Sequence, residues 1–435
     1  AAMRVALPSA LAFGVAMYAP LGPAYAGAGA LAGVLGAVAL GLIAPALGGA
    51  PRLISAPCAP AAAVMAALCA QLAAGGDSPE TVIVMLALVG LFSGLLQAAY
   101  GALGGGRLIK YIPYPVVTGY MSGVGLLIIL SQIVPFLGLA KDSEPLSGLL
   151  RPSVWQAPAL VVALVTAAAV MLGRRYVKRV PAAILGLVAG LAAHLAMGAF
   201  TPGLLSLDGN PLVIGHISTD LAAIAAGISR NFAALRLLDP HALTQLIYPA
   251  LTLSVLLSID TLKTGVVADT IAHTRHDSNR ELRGQGAANM ASAVLGGMPG
   301  SGTLGATMVS ITSGGRTRWA GVLEGAFAAA ALLLGGAIGY IPLAALAGIL
   351  MVVGARMIDW SSIKLALRRD TFMDFAVMFT VAGTALAADL VTAAGVGIGF
   401  SMLLFIREQM RSAVVRRKAT GLEISSKQQR LPRER

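Results

Sequence analysis

The sequence predicts an all-α polytopic membrane protein, with fourteen transmembrane segments arranged as an inverted repeat of seven plus seven. Three observations predict it. Of the 435 residues, 57% are hydrophobic and 11% charged, with a mean hydropathy of +0.82, so the apolar surface exceeds what one soluble core can bury. Apolar stretches of about 20 residues, the length that crosses the hydrocarbon core of a bilayer, recur along the whole chain. Finally, segments broken by proline and glycine stand at matching places in the two halves. The 52 glycines and 22 prolines lie inside the apolar stretches, where they permit close helix approach and helix breaks rather than marking low complexity. The alternating polarity of barrel strands is not seen.

The first repeat occupies residues 1–200, with spans at 3–19, 26–47, 56–74, 81–103, 116–136, 154–172 and 180–200. A more polar connection, 201–243, follows on the far side of the membrane from the termini. The second repeat, 244–407, has spans at 244–268, 284–295, 302–313, 319–340, 343–357, 372–388 and 391–407, several of them short. Residues 408–435 read as a basic cytoplasmic tail. Loop charge supports the count, because cytoplasmic loops carry the excess of Lys and Arg. Alternate loops hold Arg52; Arg107 and Lys110; Arg174, Arg175, Lys178 and Arg179; Arg275, Arg280 and Arg283; Arg316 and Arg318; and Lys364, Arg368 and Arg369. The intervening loops are acidic or mixed, with Asp77 and Glu80, Asp142 and Glu144, Asp208 and Asp220, and Asp389. The alternation places both termini in the cytoplasm of a multi-pass protein of the cell (inner) membrane.

The net charge of +12 does not point to nucleic acid, since the basic residues sit in short loops and not on one continuous face. Cys58 and Cys69 share one apolar stretch without metal-ligand spacing. No secretory leader is expected, and the first helix reads as starting already within the membrane. No metal cluster or nucleophile-base pair stands out, so an enzyme is not expected.

About fifty-five residues into each half the apolar run is interrupted, by Ile54-Ser55-Ala56-Pro57-Cys58-Ala59-Pro60 and by Gly296-Gly297-Met298-Pro299-Gly300-Ser301-Gly302-Thr303. Each break starts a helix inside the membrane, and a helix start presents unpaired N–H donors with about half a positive charge. Pro57, Cys58 and Ala59 in the first half, with Gly302, Thr303 and Leu304 in the second, are therefore candidates to hold an anion. Gly300 to Gly305 also matches GxGxxG, but the strand-helix-strand unit and the acidic residue of a dinucleotide site are missing.

Asp260 and Thr264 lie one helical turn apart, so they can join carbonyls of the Gly300 and Ser301 segment around a sodium ion. Alternatively, Asp260 carries a proton. Lys263 admits two readings, an ion pair with Asp260 that displaces the cation or a direct contact with the anion. His194, Glu324 and Asp374 are single groups, read as structural or snorkelling. Ser278 to Glu281 fits a capping box at the start of the following helix.

The runs Ser258 to Asp269, Thr274 to Leu282, Gly284-Gln285-Gly286 and Ser313 to Arg318 resemble the SulP/SLC26 anion transporters. Ile54-Ser55-Ala56-Pro57 is similar to that family's approach to its third helix, and Gly119 to Leu139 to its fifth. The resemblance implies two intertwined seven-helix repeats divided into core and gate domains that move as an elevator, in a homodimer. It also implies small inorganic anions such as sulfate, bicarbonate or chloride, or dicarboxylates in some members. Asp260 and Thr264 match sodium-binding positions of the family's cyanobacterial bicarbonate carriers, whereas Lys263 stands where those have an apolar residue. Thr303 is offset by one from their threonine. The family's STAS domain does not occur in these residues. The expected function is secondary active transport of small inorganic anions, coupled to Na+ or H+ and needing no other cofactor. A proton-coupled dicarboxylate carrier and a passive anion channel or exchanger are the alternatives.

Overall fold

The computed structural model describes residues 2–107, 114–140, 143, 145–177, 180–207, 210–217, 240–360 and 372–387, together with single positions elsewhere. Its helices are α1 (Met3–Tyr18), α2 (Ala26–Leu47), α3 (Ala59–Ala74), α4 (Pro79–Ala102), α5 (Tyr114–Leu137), α6 (Ala157–Tyr176) and α7 (Ala182–Gly198) in the first half. The second half holds α8 (Pro240–Ala272), α9 (Ser278–Val294), α10 (Leu304–Thr312), α11 (Trp319–Ala331), α12 (Leu343–Met357) and α13 (Phe372–Ala387). Six helical stretches are long and apolar enough to cross a membrane, and the shorter apolar helices include α3, α12 and α13. The expected span at 391–407 and the tail at 408–435 lie, but for single positions, outside the described residues. So do most of 218–239 and the loop charges Lys110, Asp142, Glu144, Lys178, Arg179, Asp208, Asp220, Lys364, Arg368, Arg369 and Asp389.

Two breaks in the helices become strands, β1 (Ser55–Pro57) and β2 (Gly300–Gly302), which pair antiparallel with Ser55 opposite Gly302, Ala56 opposite Ser301 and Pro57 opposite Gly300. This ribbon departs from a purely helical chain for a clear reason. Proline and glycine release backbone groups at membrane depth, where water cannot satisfy them, and the two released segments satisfy each other. Glycine at 300 is needed for the approach, since a Cβ there would run into the carbonyl of Ala56.

The helices pack as two bundles. α9 lies against α4 and α2, α2 against α1 and α11, and α8 against α4, α3 and the ribbon. The other bundle joins α5 to α12 and α13, and α6 to α7 and α12. α1 touches α7 and α12, and α3 touches α5, across the seam between them.

Two sequence expectations need correction. α9 starts at Ser278 and not at 284, because Asp277 caps it, accepting from the N–H groups of Asn279 and Arg280 at 3.0 and 3.1 Å. There is consequently no capping box from Ser278. Glu281 instead is buried and accepts from the N–H groups of Gly49 and Ala50 at 2.9 and 2.8 Å, tying α9 to the end of α2. The span expected at 319–340 is one apolar helical stretch, Trp319–Gly339, that tightens to a 3-10 turn at Leu332–Leu334.

Candidate functional site

The ribbon fixes where α3 and α10 begin. All six strand residues are buried, and α10, with 9 residues, reaches only about 14 Å at 1.5 Å per residue, so it stops partway through a bilayer. Cys58 and Thr303 are the residues preceding the two helices, both with extended backbone and neither with a side chain capping the first turn. The first-turn N–H groups of Ala59, and of Leu304, Gly305 and Ala306, thus have no partner from their own helix, while that of Ala61 faces the Cys58 sulfur. Pro57 has no N–H to give, and the N–H groups of Gly302 and Thr303 are already used. Gly302 donates its N–H to the Thr261 hydroxyl at 3.1 Å, and Thr303 donates its N–H to the Ile54 carbonyl at 2.8 Å. Among the second-half candidates, Leu304 alone keeps a free first-turn donor, one position further along the chain than the sequence centred the site.

A row of polar side chains on α9 grips the ribbon. Asn289 is fully buried; its Oδ1 accepts from Gly300 N–H at 2.8 Å while its Nδ2 donates to Gly300 O at 3.0 Å and to Gln97 Oε1 at 2.9 Å. One turn earlier, Gln285 donates to the Ser55 hydroxyl and to Glu281 Oε1. Ser292 donates to the Met298 carbonyl at 2.8 Å. Neither Asn289 nor Ser292 stood out in the sequence, although Glu281, Gln285, Asn289 and Ser292 recur at helical spacing on one face of a membrane helix, which was the available signal.

Asp260 and Ser301 meet through the serine hydroxyl, not through a segment carbonyl. The Ser301 hydroxyl donates to Asp260 Oδ2 at 2.6 Å, and the Lys263 ammonium sits 3.0 Å from Asp260 Oδ1. Lys263 thus pairs with the carboxylate, and its Nζ also lies 3.7 Å from the sulfur of Met121 on α5, across the seam between the bundles. Thr264 is buried and its Oγ1 has no partner. The hydroxyl of Tyr120 on α5 is also buried without a partner, within electrostatic reach of Asp260 and Cys58.

These residues do not fit a sodium ion while the pair is intact. Both oxygens of Asp260 are engaged, and an ammonium already supplies the positive charge that a bound cation would. A second cation about 4 Å from it would meet repulsion of about 4 kcal/mol at an effective dielectric near 20.

The remaining polar residues do other work. His194 hydrogen bonds the Leu204 carbonyl at 3.1 Å, and Asp374 is exposed. Glu324 does not snorkel; it is 2% exposed, packed against Gly41 of α2, and neither carboxyl oxygen has a partner. Asp269, His276 and Ser278 form a chain of bonds of 2.7 and 3.1 Å at the turn between α8 and α9, where His276 packs on Gly265. Among the described residues, no group of three or more His, Cys, Asp or Glu is placed to hold a metal.

Helices that start at a buried, proline- and glycine-broken ribbon in a polytopic helical fold point to a membrane transport protein. The model of the sulfate permease family matches residues 2–381, and the chain belongs to that family. It is 35% identical over 410 residues to the bicarbonate transporter BicA of Picosynechococcus sp., covering 92% of this chain and 68% of that one. It is 27% identical over 343 residues to the putative sulfate transporter YvdB of Bacillus subtilis, covering 77% of this chain and 62% of the relative. Among solved structures, the transmembrane domain of a cyanobacterial BicA superposes with a TM-score of 0.74 at 32% identity, covering 90% of this chain and 94% of that one. Murine Slc26a9 in its inward-facing state gives a TM-score of 0.76 at 17% identity over 94% of this chain and 67% of its own, a likeness of fold alone. The SulP/SLC26 resemblance therefore holds, and the chain is a membrane anion transporter rather than an enzyme.

Proposed function

We propose that the chain is a secondary carrier of small inorganic anions of the bicarbonate or sulfate class, which it holds between the starts of α3 and α10. The observation that carries this reading is the antiparallel pairing of Ser55–Pro57 with Gly300–Gly302, from which both half-helices begin. Their free N–H groups attract an anion without a fixed full charge, so the anion can also leave. The unpartnered hydroxyl of Tyr120 supplies a further donor from α5. In this reading the bundle of α1–α4 and α8–α11 shifts against that of α5–α7, α12 and α13, carrying the site across the membrane. The carrier works as a homodimer in the cell membrane with cytoplasmic termini.

A dicarboxylate is less well served. Its second carboxylate needs another positive contact, and Lys263, the candidate for it, is paired with Asp260. Uptake of labelled bicarbonate, sulfate and fumarate into proteoliposomes tests the reading. Saturable uptake of either inorganic anion supports it, and uptake of fumarate alone overturns it. A channel would instead conduct sustained current without saturation at the same anion concentrations.

A further inference from the structure

We infer that Lys263 is a tethered cation that takes the place of a bound coupling ion, so that transport runs without sodium. The inference rests on the carrier reading above for its consequence in transport, but its geometry stands alone. α3, α5 and α10 carry no Asp, Glu, Lys or Arg, and Glu281 of α9 reaches the ribbon only through Gln285, so Asp260 and Lys263 form the charged pair that meets Ser301 directly. Their separation of 3.0 Å is an ion pair, and the second carboxylate oxygen is taken by the Ser301 hydroxyl. The oxygen set of a small-cation site is nevertheless kept. The Asp260 carboxylate, the Ser301 hydroxyl and the buried, unpartnered Thr264 Oγ1 all remain.

A carboxylate at membrane depth needs a positive partner. A soluble ion meets that need only when it is bound, so the loaded state then depends on its concentration. An ammonium three residues along the same helix meets it permanently. The side chain of Lys263 is 32% exposed and that of Asp260 12%, so the ammonium lies on the open side of the pair, closing the approach to the carboxylate. Removing the ammonium leaves an unpaired carboxylate beside free hydroxyl oxygens, which is a vacancy for a cation of that size.

The test compares wild type, Lys263→Met, Lys263→Gln and Lys263→Arg as purified full chains. Binding of labelled sodium is measured directly, and uptake of labelled bicarbonate and sulfate is measured in sodium and in choline. Wild type and Lys263→Arg are expected to bind no sodium saturably and to transport equally in both salts. Lys263→Met and Lys263→Gln are expected to gain saturable sodium binding, with uptake about ten-fold faster in sodium than in choline. Adding Asp260→Asn to either is expected to abolish that gain. Saturable sodium binding by wild type overturns the inference even if no variant folds. So does a folded Lys263→Met or Lys263→Gln that stays indifferent to sodium. If the sodium-binding contrast holds but no anion is taken up, the carrier reading fails and the tethered cation stands.

Discussion

Asn289 holds Gly300 by both ends of its amide, accepting from the glycine N–H at 2.8 Å and donating to its carbonyl at 3.0 Å, as a neighbouring strand would. Position 300 lies on the free edge of the two-stranded ribbon, and the amide of α9 serves as its second partner. Asn289→Leu keeps the volume but leaves two buried backbone groups unpaired, with an expected loss of about 2–4 kcal/mol. Asn289→Asp keeps the acceptor and loses the donor, so it should fall between. Thermal unfolding in detergent checks the order wild type, Asp, Leu, and anion affinity should fall in parallel.

Thr303 precedes α10 directly and is partly buried beside Leu304, the first residue with a free donor. Thr303→Trp should therefore fill the space before the half-helix and abolish anion binding while the protein remains folded. Calorimetric titration with sulfate or bicarbonate checks it, and wild-type affinity would move the anion elsewhere.

The hydroxyl of Tyr120 has no protein partner to lose. Tyr120→Phe should accordingly leave unfolding temperature unchanged or slightly raised, while weakening anion binding about five- to ten-fold through loss of one hydrogen bond. A fall in stability without change in affinity would assign the hydroxyl to the fold.

Glu281 accepts from Gly49 and Ala50 and packs where Gly48 leaves room for its carboxylate. Glu281→Ala strands both N–H groups and should destabilise by about 2–4 kcal/mol. Glu281→Gln keeps an acceptor oxygen and should cost less. Anion affinity at a temperature where both are folded should change little, since the link lies at the end of α2 and not at the half-helix starts.

The breaks that build the site were legible because proline and glycine at 57, 299, 300 and 302 interrupt otherwise unbroken apolar runs. The pairing of Asp260 with Lys263 was legible as one of two readings of a three-residue helical spacing. What joins the halves was not. Asn289 and Gln285 bond to Gln97 and Ser55, 192 and 230 residues away, and no local pattern reports a tertiary partner. Glu281 misled through its spacing from Ser278, because Asp277, one residue earlier, had already capped the helix. The free donors were centred on Gly302 and Thr303 for a related reason. The Ile54 carbonyl and the Thr261 hydroxyl consume backbone N–H groups that the sequence shows as available.

A neutral Asp260–Lys263 pair gives the loaded site the charge of the anion alone, so its transport should move net charge. The most direct measurement is labelled bicarbonate and sulfate uptake into proteoliposomes under an imposed potassium diffusion potential, in sodium or in choline. Saturable uptake, accelerated by an inside-positive potential and equal in both salts, is the expected result. No uptake of either anion above protein-free vesicles would contradict anion transport at this site, and uptake that requires sodium would contradict the role given to Lys263.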